Sequence, residues 1–153
     1  MLLHWFIATL HLLALPLGLG AIWARSRALR LARSAADLQR VFVADNFWGA
    51  AAVLWIATGL FRAFGGLEKG TEYYLHNWLF YLKMGLLVIV LLLEVWPMTS
   101  LIRWRIQLRR GASLDLTSAP MLARISAIQA ALIVIMVCAA TAVARGFFLQ
   151  GAA

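Results

Sequence analysis

Hydrophobic residues fill this chain in four long blocks, and polar residues collect at the breaks between them. The blocks cover roughly residues 3–24, 41–64, 77–102 and 121–148. Each is at least the ~20 apolar residues that a helix needs to cross a hydrocarbon core of about 30 Å. Backbone polar groups in lipid must be satisfied within their own segment, so each block predicts a helix. The expected fold is all-α: one domain, an integral membrane four-helix transmembrane bundle. The first block lacks a basic start, carries two histidines and runs into arginines, so it predicts a retained span rather than a cleaved signal peptide.

Charge sets the expected orientation. Arg25, Arg27, Arg30, Arg33 and Arg40, against Asp37, follow the first block, and Arg103, Arg105, Arg109 and Arg110, against Asp115, follow the third. The middle break balances Arg62 and Lys69 with Glu68 and Glu72. The positive-inside rule therefore places both termini outside, in a multi-pass protein expected in the bacterial inner membrane. Composition fits the class, with 64% hydrophobic and 13% charged residues and a mean hydropathy of +0.87. The net charge of +8 is topogenic on this reading. The arginines flank the spans instead of forming a basic module, which argues against a nucleic-acid partner and for contact with anionic headgroups.

Smaller features fill in the picture. Residues 24–40 place leucine and arginine at helical spacing and predict an amphipathic segment along the interface. Ser118, two residues before Pro120, predicts an N-cap. Cys138 is alone, so an internal disulfide and a CxxC motif are both excluded. Trp5 and Trp78 are expected at the outer boundary, and Trp23, Trp48, Trp96 and Trp104 at the inner one, as aromatic belts.

Ionisable residues inside the blocks are the candidate chemistry, because lipid penalises them. His4 and His11 are seven residues apart, nearly two turns, so they share a face with His11 about 10 Å deeper. His76 and Lys83 repeat that spacing in the third block, and Arg62 and Arg145 reach the same outer rim. Together they predict a pocket open to the outside. Imidazole is a common axial ligand of haem iron, and arginines pair with propionates, so porphyrin suits such a pocket. Toward the inner end, Asp45, Asn46, Glu94, Arg124 and Gln129 form a second polar layer. There an ion pair from Asp45 or Glu94 to Arg124 is expected to fix helix order, and Pro97 is expected to bend or end the third helix near Glu94.

Nearly the whole chain, through "LHWFIATLHLLALPLGLGAIWARSRALR", "VFVADNFWGAAAVLWIATGLFRAFGGLEKGTEYYLHN" and "KMGLLVIVLLLEVWPM", resembles an uncharacterised bacterial family of four-helix membrane proteins known only as a domain of unknown function. More distantly, His11, "TGLFRAF" and "NWLFYLKMGLLVIVLL" resemble the HemJ-type protoporphyrinogen oxidases. That second resemblance implies haem b, with His11 and Lys83 as the essential histidine and lysine, a porphyrin substrate and quinone as electron acceptor. The expected function is haem b binding with a redox or tetrapyrrole-related role. His11 would be the first metal ligand, His76 or His4 the second, and Arg62 and Arg145 the carboxylate clamps. Two other classes use the same buried charges: an accessory subunit of a respiratory or photosynthetic complex, and a small ion or proton transporter. A homo-oligomer or a larger membrane complex is compatible with each.

Overall fold

A computed structural model describes residues 2–64 and 78–145. They form four α-helices: α1 Leu2–Leu31, α2 Leu38–Phe64, α3 Trp78–Arg109 and α4 Ala119–Ala144. All four are long and apolar enough to cross a membrane. No strand occurs among the described residues. The all-α membrane bundle expected from the hydropathy blocks is therefore the architecture observed.

The helices overrun the apolar blocks at the end where α1 meets α2 and α3 meets α4, here called the loop end. α1 runs to Leu31 and α3 to Arg109, because arginine keeps helical propensity and the buried stripe continues past each apolar block through Arg25, Ser26 and Leu29 in α1 and Trp104 in α3. At 32 residues, α3 is about 48 Å long, well beyond a 30 Å core. Residues 24–40 are accordingly not a separate interfacial segment. They are the end of α1, a single 3-10 turn over Ala35–Asp37 and the start of α2. Pro97 does not end α3 either; it sits buried inside the helix, where it removes one N–H from the ladder.

α3 closes on Gly111, whose φ of +65° suits a residue without Cβ. The amides of Gly111 and Ala112 return to the carbonyls of Leu108 and Gln107, the paired bonds of a Schellman cap. α4 begins directly after Ser118, whose carbonyl accepts from the Leu122 amide, as the N-cap expectation required.

α1 packs along α2 and α4, and α4 packs along α3. The order around the bundle is thus α2–α1–α4–α3, and the α2/α3 side has little direct backbone packing. Contacts His11–Thr58, Gly18–Ala51 and Arg25–Asp45, whose numbers add to 69 or 70, set the antiparallel register of α1 against α2. Two apolar clusters fill the interior. One, at the loop end, joins Leu29, Val41, Leu101, Trp104 and Leu122; the other, nearer mid-bundle, joins Ile22, Trp48, Val90, Ile133 and Met136. Trp48 and Trp104 are thus core residues rather than belt residues, whereas Trp5, Trp23, Trp78 and Trp96 are exposed as expected.

Candidate functional site

Between the two apolar clusters lies a polar layer built around Arg25. This residue was expected to be a topogenic arginine outside the membrane. It is instead fully buried, at 0% exposure, because it falls on the stripe Ala14, Gly18, Ala21, Ile22, Ser26 and Leu29 that α1 turns inward. All five of its N–H donors are used. Nε donates to Ser126 Oγ at 3.1 Å. Nη1 donates to Asp45 Oδ1 at 2.9 Å and Glu94 Oε1 at 2.6 Å. Nη2 donates to Glu94 Oε2 at 2.7 Å and Gln129 Oε1 at 3.0 Å.

The partners are equally complete. Gln129 Nε2 donates to Glu94 Oε2 and to the Val90 carbonyl, Ser126 donates to the Leu122 carbonyl, and Arg105 donates to Asp45 Oδ2 at 2.9 Å. Six side chains from four helices make one network with two cations and two carboxylates. A network of this kind is stable in low dielectric when its buried members are satisfied, and here the buried Arg25 is fully bonded while Arg105 keeps part of its guanidinium exposed. The acids expected to pair do pair, but not with Arg124, which is exposed on α4. Arg124 lies two residues before Ser126 and five before Gln129, spacings that put it on the other side of the helix from those inward positions.

The other half of the bundle is arranged differently. Here α2 and α3 diverge and leave a cleft lined by His11 of α1, Trp55 and Gly59 of α2, Phe80 and Lys83 of α3 and Met136 of α4. Its enclosed space is about 60 Å³, within a wider opening of about 480 Å³. His11 and Lys83, expected at one depth, line the same cleft.

His11 is held by three neighbours that sequence reading had not assigned to it. Its Nδ1 lies 2.9 Å from Thr58 Oγ1. That hydroxyl has one proton, and its 2.6 Å approach to the Leu54 carbonyl claims it. Thr58 therefore accepts from His11, which puts a proton on Nδ1. Trp55 stacks on the imidazole, with ring centroids 5.6 Å apart. Gly59 supplies the room: a Cβ there would stand 3.1 Å from His11 Cε1. The i, i+3, i+4 set Trp55, Thr58, Gly59 is a helix face in the sequence, but only the register with α1 shows what it faces.

Arg62, Arg145 and His4 are not among the residues that line the cleft. Arg62, half-buried, is one turn beyond Gly59 on α2, level with Ile7–Ala8 by the α1/α2 register; Arg145, exposed, follows the end of α4. His4 is exposed and nearly two turns from His11 on the same helix, too far to share an iron with it. His76 lies outside the described residues, as does the loop carrying Glu68, Lys69 and Glu72. No cluster of three metal-ligating side chains occurs among the described residues.

Comparison with known proteins gives a family without an activity. Residues 3–147 match the family model described as "Predicted membrane protein (DUF2214)", and the chain belongs to that family. No curated protein and no solved structure matches.

Proposed function

We propose that the cleft between α2 and α3 is a cofactor site for haem b and that the protein has a redox or tetrapyrrole-related role. The observation that carries the reading is the hold of Thr58 on His11 Nδ1 at 2.9 Å. A ring oriented through Nδ1–H is the arrangement typical of histidines that ligate a metal through Nε2. In this reading Thr58 orients the ring, Trp55 backs it and Gly59 gives it space. Lys83 supplies a cation in the same cleft for a carboxylate, and Arg62 a second one turn beyond Gly59. Bound haem would supply one-electron exchange at iron.

The donor set fits one axial bond, with His76 as the candidate for the second. The enclosed 60 Å³ is smaller than a macrocycle, so binding requires the cleft to widen. The α2/α3 side is where helix packing resists this least. The same small volume favours a second reading, a quinone headgroup entering the cleft from the bilayer.

Spectra of protein expressed with ample haem test the proposal. A Soret band is expected in wild type, absent or high-spin in His11→Ala. It should survive in Lys83→Met with faster loss of the porphyrin. Wild-type protein without Soret absorbance overturns the haem reading. A short-tailed quinone bound by that protein and lost in His11→Ala would then establish the second.

A further inference from the structure

A groove of about 550 Å³ runs along the outside of the bundle between α1 and α2. Pro16, Gly20 and Ala24 form one wall, Val43 and Phe47 the other, and Arg40 closes the loop end. All six are exposed. The groove is open at Gly20, where an added Cβ would meet nothing within 4 Å.

Arg40 is the cation that lines the groove, and Arg27, whose guanidinium lies 5.7 Å from the Trp23 ring centroid, stands just beyond its α1 wall. Arg27 follows Gly20 by seven residues and continues the same stripe of α1, level with Phe42–Val43 in the α1/α2 register. Arg40 stands across from it near the start of α2. The nearest carboxylate in sequence, Asp37, feels the Arg40 charge only as the smallest of several influences and is hydrogen-bonded within its own loop, where Oδ2 accepts from the amides of Arg33 and Ser34 and from the Ser34 hydroxyl. From Pro16, at the middle of α1, to Arg27 is about 16 Å, half of a ~30 Å hydrocarbon core. The groove itself follows α1 from Pro16 to Ala24, about 12 Å, apolar except for Gln39 and Arg40 at the loop end, and with the reach to Arg27 it spans about one leaflet.

We propose that it holds an acyl chain of an anionic phospholipid, with the headgroup phosphate between Arg27 and Arg40. A partner helix would need an apolar path across both leaflets, and a free phosphate would have no use for the groove. An anionic lipid uses both the length and the charge.

Native mass spectrometry of the detergent-purified chain tests this, with phosphatidylglycerol and phosphatidylcholine of identical chains as probes. Wild type should prefer phosphatidylglycerol by about fivefold for each arginine engaged. Arg40→Gln should lose about fivefold for phosphatidylglycerol and leave phosphatidylcholine unchanged. Gly20→Leu, which fills open space without touching the core, should weaken both lipids, and inorganic phosphate should displace neither. Circular dichroism before each titration verifies that the variants keep wild-type helix content. Equal affinity of wild type for the two lipids overturns the proposal. So does a preference that survives Arg40→Gln, binding untouched by Gly20→Leu, or displacement by phosphate.

Discussion

The two halves of this bundle treat their polar residues in opposite ways. Toward the loop end, six side chains from all four helices close on one another, and Arg25 spends every donor it has inside the protein. Toward the other end, α2 and α3 part, and His11 and Lys83 line a cleft between them. The difference lies in which helices are tied. Arg105 bonds the Asp45 carboxylate and the Phe42 carbonyl, both on α2, so α3 is pinned to α2 where the network lies. A polar layer that satisfies itself fixes structure, and a cleft lined by an imidazole and an ammonium group has the chemistry of a ligand site.

The strongest way to break that contrast is to remove Arg25. Arg25→Leu strands Glu94, and half of Asp45, in low dielectric. Breaking a buried pair from one side costs about 3–5 kcal/mol, so resistance to thermal or denaturant unfolding should fall sharply. Arg124→Leu, at an exposed position, should stay within about 0.5 kcal/mol of wild type. Equal losses in the two variants would return the network to Arg124 and void the account of the closed half.

The open half is sharpened by Thr58→Val, which keeps shape and removes the acceptor for His11 Nδ1–H. The expected loss is about 1 kcal/mol of stability, together with a change that stability alone would not show. Nitrogen NMR of histidine-labelled protein should report the Nδ1–H tautomer in wild type and a mixture in the variant. Thr58→Ser should restore the single tautomer. An Nε2–H tautomer in wild type would remove the support for ligation at His11.

Much of this contrast was legible in the sequence. Four spans, a pocket shared by His11 and Lys83, and the pairing role of Asp45 and Glu94 all follow from helical spacing and the cost of charge in lipid. Arg25 was not seen, because an arginine beside an apolar block satisfies the positive-inside rule whether or not it is buried. The signal lay in its phase: it continues the Ala14, Gly18, Ala21 stripe, whereas the exposed Arg27 and Arg30 do not. Trp48 and Trp104 were misplaced for the same reason, since depth alone does not tell which way a tryptophan faces. Thr58 and Gly59 could not be assigned to His11 without the α1/α2 register, which is a tertiary fact.

The smallest expected effect tests how far the ordering of the closed half extends into its loops. The Asp37 carboxyl is held below its usual range by the backbone N–H of Arg33, then by the hydroxyl and backbone N–H of Ser34. A carboxyl with a lowered folded pKa lends stability above the unfolded value of about 3.9, and that stability is lost as pH falls through the folded value. Amide exchange at Arg33 and Ser34 should therefore be slow at pH 6 and quicken, relative to intrinsic rates, only as pH drops below about 4. Asp37→Asn should show the quickened exchange already at pH 6 and no acid step. Asp115, lowered chiefly by the Thr117 backbone N–H, should give an acid step of the same sign at Thr117 in the α3–α4 loop. An Asp37 step that appeared as pH rose would contradict the sign of the linkage and show that the α1–α2 turn is held by something other than this carboxylate.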